Sequence, residues 1–186
     1  MDPKRLVRLS KFLSLHLRHQ PADLGLKLEP GGWVAVAELI AGAARVGFPI
    51  TPEELAEVVR TSDKQRFALD ATGLKVRANQ GHSAEVDLQL EPADPPAVLY
   101  HGTADRFLDA IRRDGLVKMA RHHVHLSADA ATAAKVGVRH GRLVLLEVGA
   151  AGMRAAGYTF YRSANGVWLV DAVPPQYLRV TPPSDA

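Results

Sequence analysis

The segment EVDLQLEPADPPA, residues 85 to 97, constrains the fold of this chain more than any other stretch. It holds four acidic residues and three prolines. Proline fixes φ and lacks an amide donor, so neither a helix nor a paired inner strand passes through such a run. Read as a linker over 85–96, it separates an N-terminal lobe (1–84) from a C-terminal lobe (97–181), with 182–186 as a frayed tail. A chain of 186 residues then supplies two small lobes, each able to bury a modest core.

The two lobes differ in pattern. Residues 4 to 19 are expected to form a helix, because Leu6, Leu9, Leu13 and Leu17 fall within about 80° of one another at 3.6 residues per turn. Pro21 disfavours helix in the residue before it, so the helix should stop near His19. EPGGWVAVAELI reads as a turn, a short strand around Val34 and Val36, and a second helix. ITPEELAEVVRTS opens with a capping box, with Thr51 as N-cap, Pro52 at the first helical position and Glu54 three residues after Thr51. RFALDATGLKVRA gives two alternating runs around a turn at Asp70 to Gly73, a hairpin. Helix, strand, two helices and a hairpin make a winged-helix lobe. The second lobe reads as mainly β, with AVLYHGT, HHVHLS, GRLVLLEVG and NGVWLV as strands and ADRFLDAIRRDGL as a helix stopped by Gly115. The fold class is α+β.

Composition narrows the chemistry. The chain has no cysteine, which removes disulfides, thiolate metal sites and a cysteine nucleophile together. No apolar run reaches the roughly 18 residues that span a bilayer, and the opening MDPKRLVRLS lacks a signal-peptide core. A cytoplasmic monomer is the expectation. Net charge is only +3, with an isoelectric point near 9.3, a bias that permits nucleic acid or a phosphorylated ligand without demanding either. No Rossmann fingerprint, P-loop or nucleophile elbow is present.

As a strand, RHHVHLS places Arg121, His123, His125 and Ser127 on one face, with His122, Val124 and Leu126 on the other. His123 and His125 could then point the same way, but no carboxylate lies nearby and no third ligand has suitable spacing, so no metal site is expected. YHGT ends a strand on His101, followed by Gly102, where a ligand could approach the backbone. DKQRF sets Lys64 and Arg66 before the hairpin. Taken singly, each string also fits a plain polar strand or turn. Together they leave Arg18, His19, Lys64, Arg66, Arg121 and His125, and arginine forks match phosphate oxygens.

Six strings, SKFLSLHLRHQP, DKQRF, RANQGHS, YHGT, RHHVHLS and SANGVWL, stand in this order between about Ser10 and Val180. In that order and spacing they resemble the NAD-dependent RNA 2′-phosphotransferases, which remove the splice-junction 2′-phosphate from tRNA. The resemblance implies a winged-helix lobe followed by a lobe of the ADP-ribosyltransferase fold. It implies NAD as co-substrate, no metal, and RNA bearing a 2′-phosphate as partner. In the family's first step the 2′-phosphate attacks the nicotinamide ribose of NAD and expels nicotinamide. In the second, the neighbouring ribose hydroxyl attacks that phosphorus, giving RNA with a 2′-OH and ADP-ribose 1″,2″-cyclic phosphate.

By the same resemblance an Arg-His-Arg-Arg tetrad maps onto Arg18, His19, Arg66 and Arg121; Lys64, from the reading of the basic residues themselves, is expected with Arg18 and Arg66 at the substrate phosphate. The NAD pocket maps onto His101, Gly102, Thr103, His125 and Ser127, with Asn165, Arg139 and His140 as weaker candidates. Preorganised arginine donors facing phosphoryl oxygens would each lower the barrier by about 3 kcal/mol. Flanking cations disfavour an imidazolium, so His19 could accept or relay a proton. Many protein-modifying ADP-ribosyltransferases use a late glutamate that NGVWLV does not offer, and Glu147 reads as an ordinary strand carboxylate. An anionic phosphate needs no such base. Two other readings stay open: a nucleic-acid terminal-phosphate ADP-ribosyltransferase that stops after the first step, and a non-enzymatic winged-helix regulator with a ligand-sensing lobe.

Overall fold

The structure is a computed structural model that describes residues 1–62 and 64–181, without the side chain of residue 140. The tail expected at 182–186 lies outside the described residues, as does the side chain of His140. The chain is mixed α and β and divides into two compact units, Met1–Gln89 and Leu90–Ala186. Among the described residues no helix is long and apolar enough to cross a membrane.

The first unit begins with α1 (Pro3–Arg18), capped by Asp2, whose carboxylate accepts from the Arg5 amide at 3.1 Å. Leu9, Leu13 and Leu17 on its inner stripe are completely buried. Each contributes about 1.5–3 kcal/mol by leaving water. They meet Leu24, Leu39, Leu55, Val58, Phe67 and Val76 in one core. Then follow β1 (Trp33–Ala35), α2 (Val36–Arg45), α3 (Pro52–Thr61), β2 (Phe67–Leu69) and β3 (Lys75–Ala78). The expected strand around Val34 and Val36 is shorter than anticipated, since Val36 already opens α2.

The capping box of α3 forms as its sequence specifies: Thr51 Oγ1 accepts from the Glu54 amide, and Glu54 accepts from the Thr51 amide. The same Glu54 carboxylate takes both Nε and Nη2 of Arg5 at 2.9 and 3.0 Å, tying α3 to α1. Strands β1, β3 and β2 form an antiparallel sheet in that order. Asp70 closes the hairpin by accepting from the Lys75 amide and the Thr72 hydroxyl.

The second unit runs β4 (Leu99–Ala104), α4 (Leu108–Asp114), β5 (Leu116–Val117), β6 (Val124–Leu126), α5 (Ala130–Gly137), β7 (Leu143–Val148) and α6 (Ala150–Ala155). It ends with β8 (Tyr161–Arg162), β9 (Trp168–Val170), β10 (Ala172–Val173) and β11 (Leu178–Val180). The sheet orders are β11-β7-β4, β6-β9-β8 and β10-β5, all antiparallel. Leu99, Leu126, Leu146, Val148, Met153, Phe160 and Val170 centre its core.

Two expectations need amending. The unit is less purely β than its strand-like strings suggested: α5 and α6 were not anticipated, although Asp129 caps α5 by accepting from the Thr132 amide at 2.7 Å. The strand expected over 121–127 keeps only Val124–Leu126, where β9 supplies a partner. Residues 121–123 belong to a bend, entered by a turn in which the Arg121 amide donates to the Lys118 carbonyl. The acidic, proline-rich segment is also anchored at both ends. The Asp87 carbonyl accepts from the Gly31 amide in the first unit, and the Ala93 amide donates to the Phe160 carbonyl in the second.

Candidate functional site

In the first unit, the end of α1 carries the candidate groups. His19 is its C-cap residue, and its amide donates back to the Leu15 carbonyl. The carbonyl of Arg18, otherwise an orphan of the last turn, accepts from the amides of both Ser83 and Ala84 at 2.9 Å. A segment some 65 residues downstream thus folds back over the helix end. It also brings Ser83 Oγ to 2.8 Å from His19 Nδ1. His19 is exposed and Arg18 half-buried. The Arg18 guanidinium carbon lies 5.9 Å from the ring centre of Phe67, the residue that follows Arg66. The end of α1 and the start of β2 are therefore neighbours.

Arg66 is held through its backbone. Its amide donates to Ser62 Oγ at 3.2 Å, and its carbonyl accepts from the Asn79 amide at 2.9 Å. The Asn79 side chain donates from Nδ2 to the carbonyl of Gln65 at 2.6 Å. Gln65 adopts φ +41°, a left-handed conformation that costs a residue with a Cβ about 1–2 kcal/mol. Asn79, only 9% exposed, grips the two successive carbonyls that follow that strained torsion, its side chain on Gln65 and its amide on Arg66. Lys64 sits exposed in the same turn, closed by the Gln65 amide on the Ser62 carbonyl.

In the second unit, the HGT and HLS strings are stitched together although more than twenty residues separate them. Tyr100 and Ser127 exchange two backbone hydrogen bonds, at 2.9 and 2.8 Å. One residue along, His101 Nδ1 lies 3.0 Å from the His125 carbonyl. A carbonyl only accepts, so His101 carries its proton on Nδ1 in that bond. Arg121 Nη1 stands 3.5 Å from His125 Nδ1. These contacts gather His101, Arg121, His125 and Ser127.

Other candidates are placed differently. Gly102 offers no open cradle for a ligand, because a Cβ built there would lie 1.9 Å from the Ala133 carbonyl oxygen. Its missing side chain lets α5 rest on β4. Thr103, in β4, is buried, at 6% exposed. His123, outside β6, packs edge-on against Tyr161 with ring centres 5.5 Å apart. Burial pushes its pKa below the ordinary histidine value, with Asp171 opposing that shift. Asn165 lies in the turn between β8 and β9, where its Oδ1 accepts from the buried Ser163 hydroxyl at 2.7 Å. Arg139 lies in a short 3₁₀ turn after α5. Glu147 pairs in register with Tyr100 and Arg179 within its sheet. Among the described residues, no three histidine or acidic side chains gather as a metal site.

Sequence reasoning passed over Asn79, Ser83 and Ser163. The first two belong to RANQGHS, a polar run directly after an alternating strand, and that run was the available signal. Ser163 opens SANGVWL in the same way.

A family model described as "RNA 2'-phosphotransferase, Tpt1 / KptA family" matches residues 4–172. A protein of Nostoc punctiforme is 60% identical over 179 residues, which cover 96% of this chain and 99% of that one. A protein of Trichormus variabilis is 57% identical, covering 97% and 99%. One from Streptomyces griseus is 55% identical, covering 96% and 98%. All three carry the description "Probable RNA 2'-phosphotransferase".

Proposed function

This chain belongs to the RNA 2′-phosphotransferase, Tpt1/KptA family, and on that premise we propose that it removes the 2′-phosphate from RNA with NAD as the acceptor of the phosphoryl group. We read the first unit as a winged-helix lobe that grips the RNA phosphate. The sequence of α1, α2 and α3 before the β2–β3 hairpin supports this. The second unit we read as an ADP-ribosyltransferase-type lobe. The observation that carries the phosphate reading is the end of α1. There Arg18 and His19 stand on a helix terminus fixed by two backbone hydrogen bonds, with Ser83 against the imidazole.

The donor set of the second unit fits a dinucleotide rich in hydroxyl and phosphate oxygens. It comprises a histidine of fixed tautomer, a serine hydroxyl, an amide and a guanidinium. His101, His125, Ser127 and Asn165 would hold NAD, with Gly102 and Thr103 shaping the strand beneath them. When bound, NAD supplies an electrophilic ribose carbon and a good leaving group. The chain's own task is electrostatic. Arg18, Arg66 and Arg121 neutralise charge on the phosphoryl oxygens, and Lys64 adds a further cation near the incoming phosphate. Guanidinium stays protonated and planar, so each fork can meet two oxygens at once. His19, with Nδ1 engaged by Ser83, takes or returns the proton of the hydroxyl that attacks phosphorus.

The test is to incubate the protein with a 2′-phosphorylated RNA oligonucleotide, with and without NAD. NAD-dependent conversion to the 2′-OH form is expected. Accumulation of RNA carrying ADP-ribose, with no 2′-OH product, would favour a terminal-phosphate ADP-ribosyltransferase instead. Tight NAD-independent binding to duplex DNA without turnover would favour a regulator.

A further inference from the structure

The first unit carries a groove of about 430 Å³ that the functional reading uses only at Arg66. One wall is the flank of α1, with Ser10, Lys11 and Ser14, and the other is the end of α3, with Val58 and Thr61. Arg66 completes the lining. Helix geometry explains the wall. Four-residue spacing sets Ser10, Ser14 and Arg18 in one stripe. Seven-residue spacing returns Lys11 to within about 20° of Arg18, about 10 Å back along the axis.

We propose that this groove is a binding track for the RNA strand that flanks the 2′-phosphorylated nucleotide, with Lys11 on a neighbouring backbone phosphodiester. The proposal rests on the phosphotransferase reading above, which puts the 2′-phosphate at Arg18 and Arg66. Continuity comes first, because Arg66 belongs both to that clamp and to the groove. Charge comes second: among the described residues the groove is lined by two cations, four hydroxyl residues and three aliphatic residues, and by no carboxylate. Among the described residues no acidic side chain pairs with Lys11. Hydroxyls and aliphatic surface suit ribose, and a lysine one helical stretch from the clamp suits the next phosphates of a single strand. A mononucleotide would be held by the clamp alone. A longer RNA would be held by both.

The experiment measures binding by fluorescence anisotropy, across a salt series and without NAD. The two probes are a 2′-phosphorylated RNA hexamer and a 2′-phosphorylated mononucleotide. Each phosphate neutralised on a single strand contributes about 0.7 to the slope of log affinity against log salt. Lys11→Ala should therefore flatten the hexamer slope by about 0.7 and weaken hexamer binding several-fold, with a smaller effect on the mononucleotide. Lys11→Arg should restore the slope, which a loss of helix packing would not predict. If wild-type protein turns over 2′-phosphorylated RNA while Lys11→Ala keeps the wild-type hexamer slope, the track is refuted and the phosphotransferase reading stands. If wild-type protein turns over no 2′-phosphorylated RNA, the reading and the track fall together.

Discussion

Replacing Asn79 should disable Arg66 without touching it. The Asn79 amide donates to the Gln65 carbonyl at 2.6 Å, in a site where Asn79 is 9% exposed. Asn79→Ala removes that hydrogen bond from an exposed turn residue, at a cost of about 0.5–1.5 kcal/mol. It also releases the turn in which Gln65 holds φ +41°. Relaxing Gln65 to negative φ recovers about 1–2 kcal/mol, so the variant has a driving force to rearrange. Arg66 is the next residue, and a displacement of about 1 Å in a positioned group can lower the rate by about 10²-fold. The assay is single-turnover conversion of 2′-phosphorylated RNA, run beside thermal unfolding. Asn79→Asp, which keeps the shape and loses the donor, should slow the reaction as Asn79→Ala does. Gln65→Gly in the Asn79→Ala background should recover part of the rate, since glycine accepts positive φ without strain. A double variant with Arg66→Ala should be no slower than Arg66→Ala alone, because both act through one group. A wild-type rate for Asn79→Ala, or full additivity in the double variant, would refute this reasoning.

Three further outcomes are expected. Gly102→Ala should cost about 3 kcal/mol or more, because its Cβ would stand 1.9 Å from the Ala133 carbonyl; a thermal melt at or above wild type would show that α5 does not rest there. Ser83→Ala should lower the rate by about tenfold while leaving secondary structure intact by circular dichroism, since it removes the 2.8 Å partner of His19; an unchanged pH–rate profile would remove Ser83 from the site. Hydrogen bonding to Arg5 holds the Glu54 carboxyl below its ordinary pKa near 4.5. Its stabilisation is therefore complete above that value and lost as pH falls through the lowered one. Glu54→Gln keeps a capping-box side chain without the charge, so its stability should fall less steeply between about pH 5 and 3; parallel curves from chemical denaturation would contradict this.

Local chemistry was legible in the sequence wherever a residue's neighbours along the chain decide its structure. The leucine stripe, the Thr51–Glu54 box and the Asp70 turn are cases, and each forms where the pattern put it. The seven-residue strand at 121–127 was over-read because alternation describes a strand but does not provide its partner. Only Val124–Leu126 lies opposite β9. The glycine of YHGT read as an opening for a ligand, yet the same missing Cβ serves a helix thirty residues further on. For the site, Arg18 and His19 were visible because they end a helix. Asn79 and Ser83 were not, because their contacts with Gln65 and His19 exist only after the chain returns from the hairpin.

That return sets an order of events. The body of α1 can form from its own residues, but its last carbonyl waits for amides contributed by residues 83 and 84. Closing so long a loop carries an entropic cost that growth of the helix itself does not. The end of α1 that carries Arg18 and His19 is thus completed only once residues 83 and 84 are present and docked on it. A nascent chain that stops short of residue 83 carries Arg18 and His19 on an unfinished helix end.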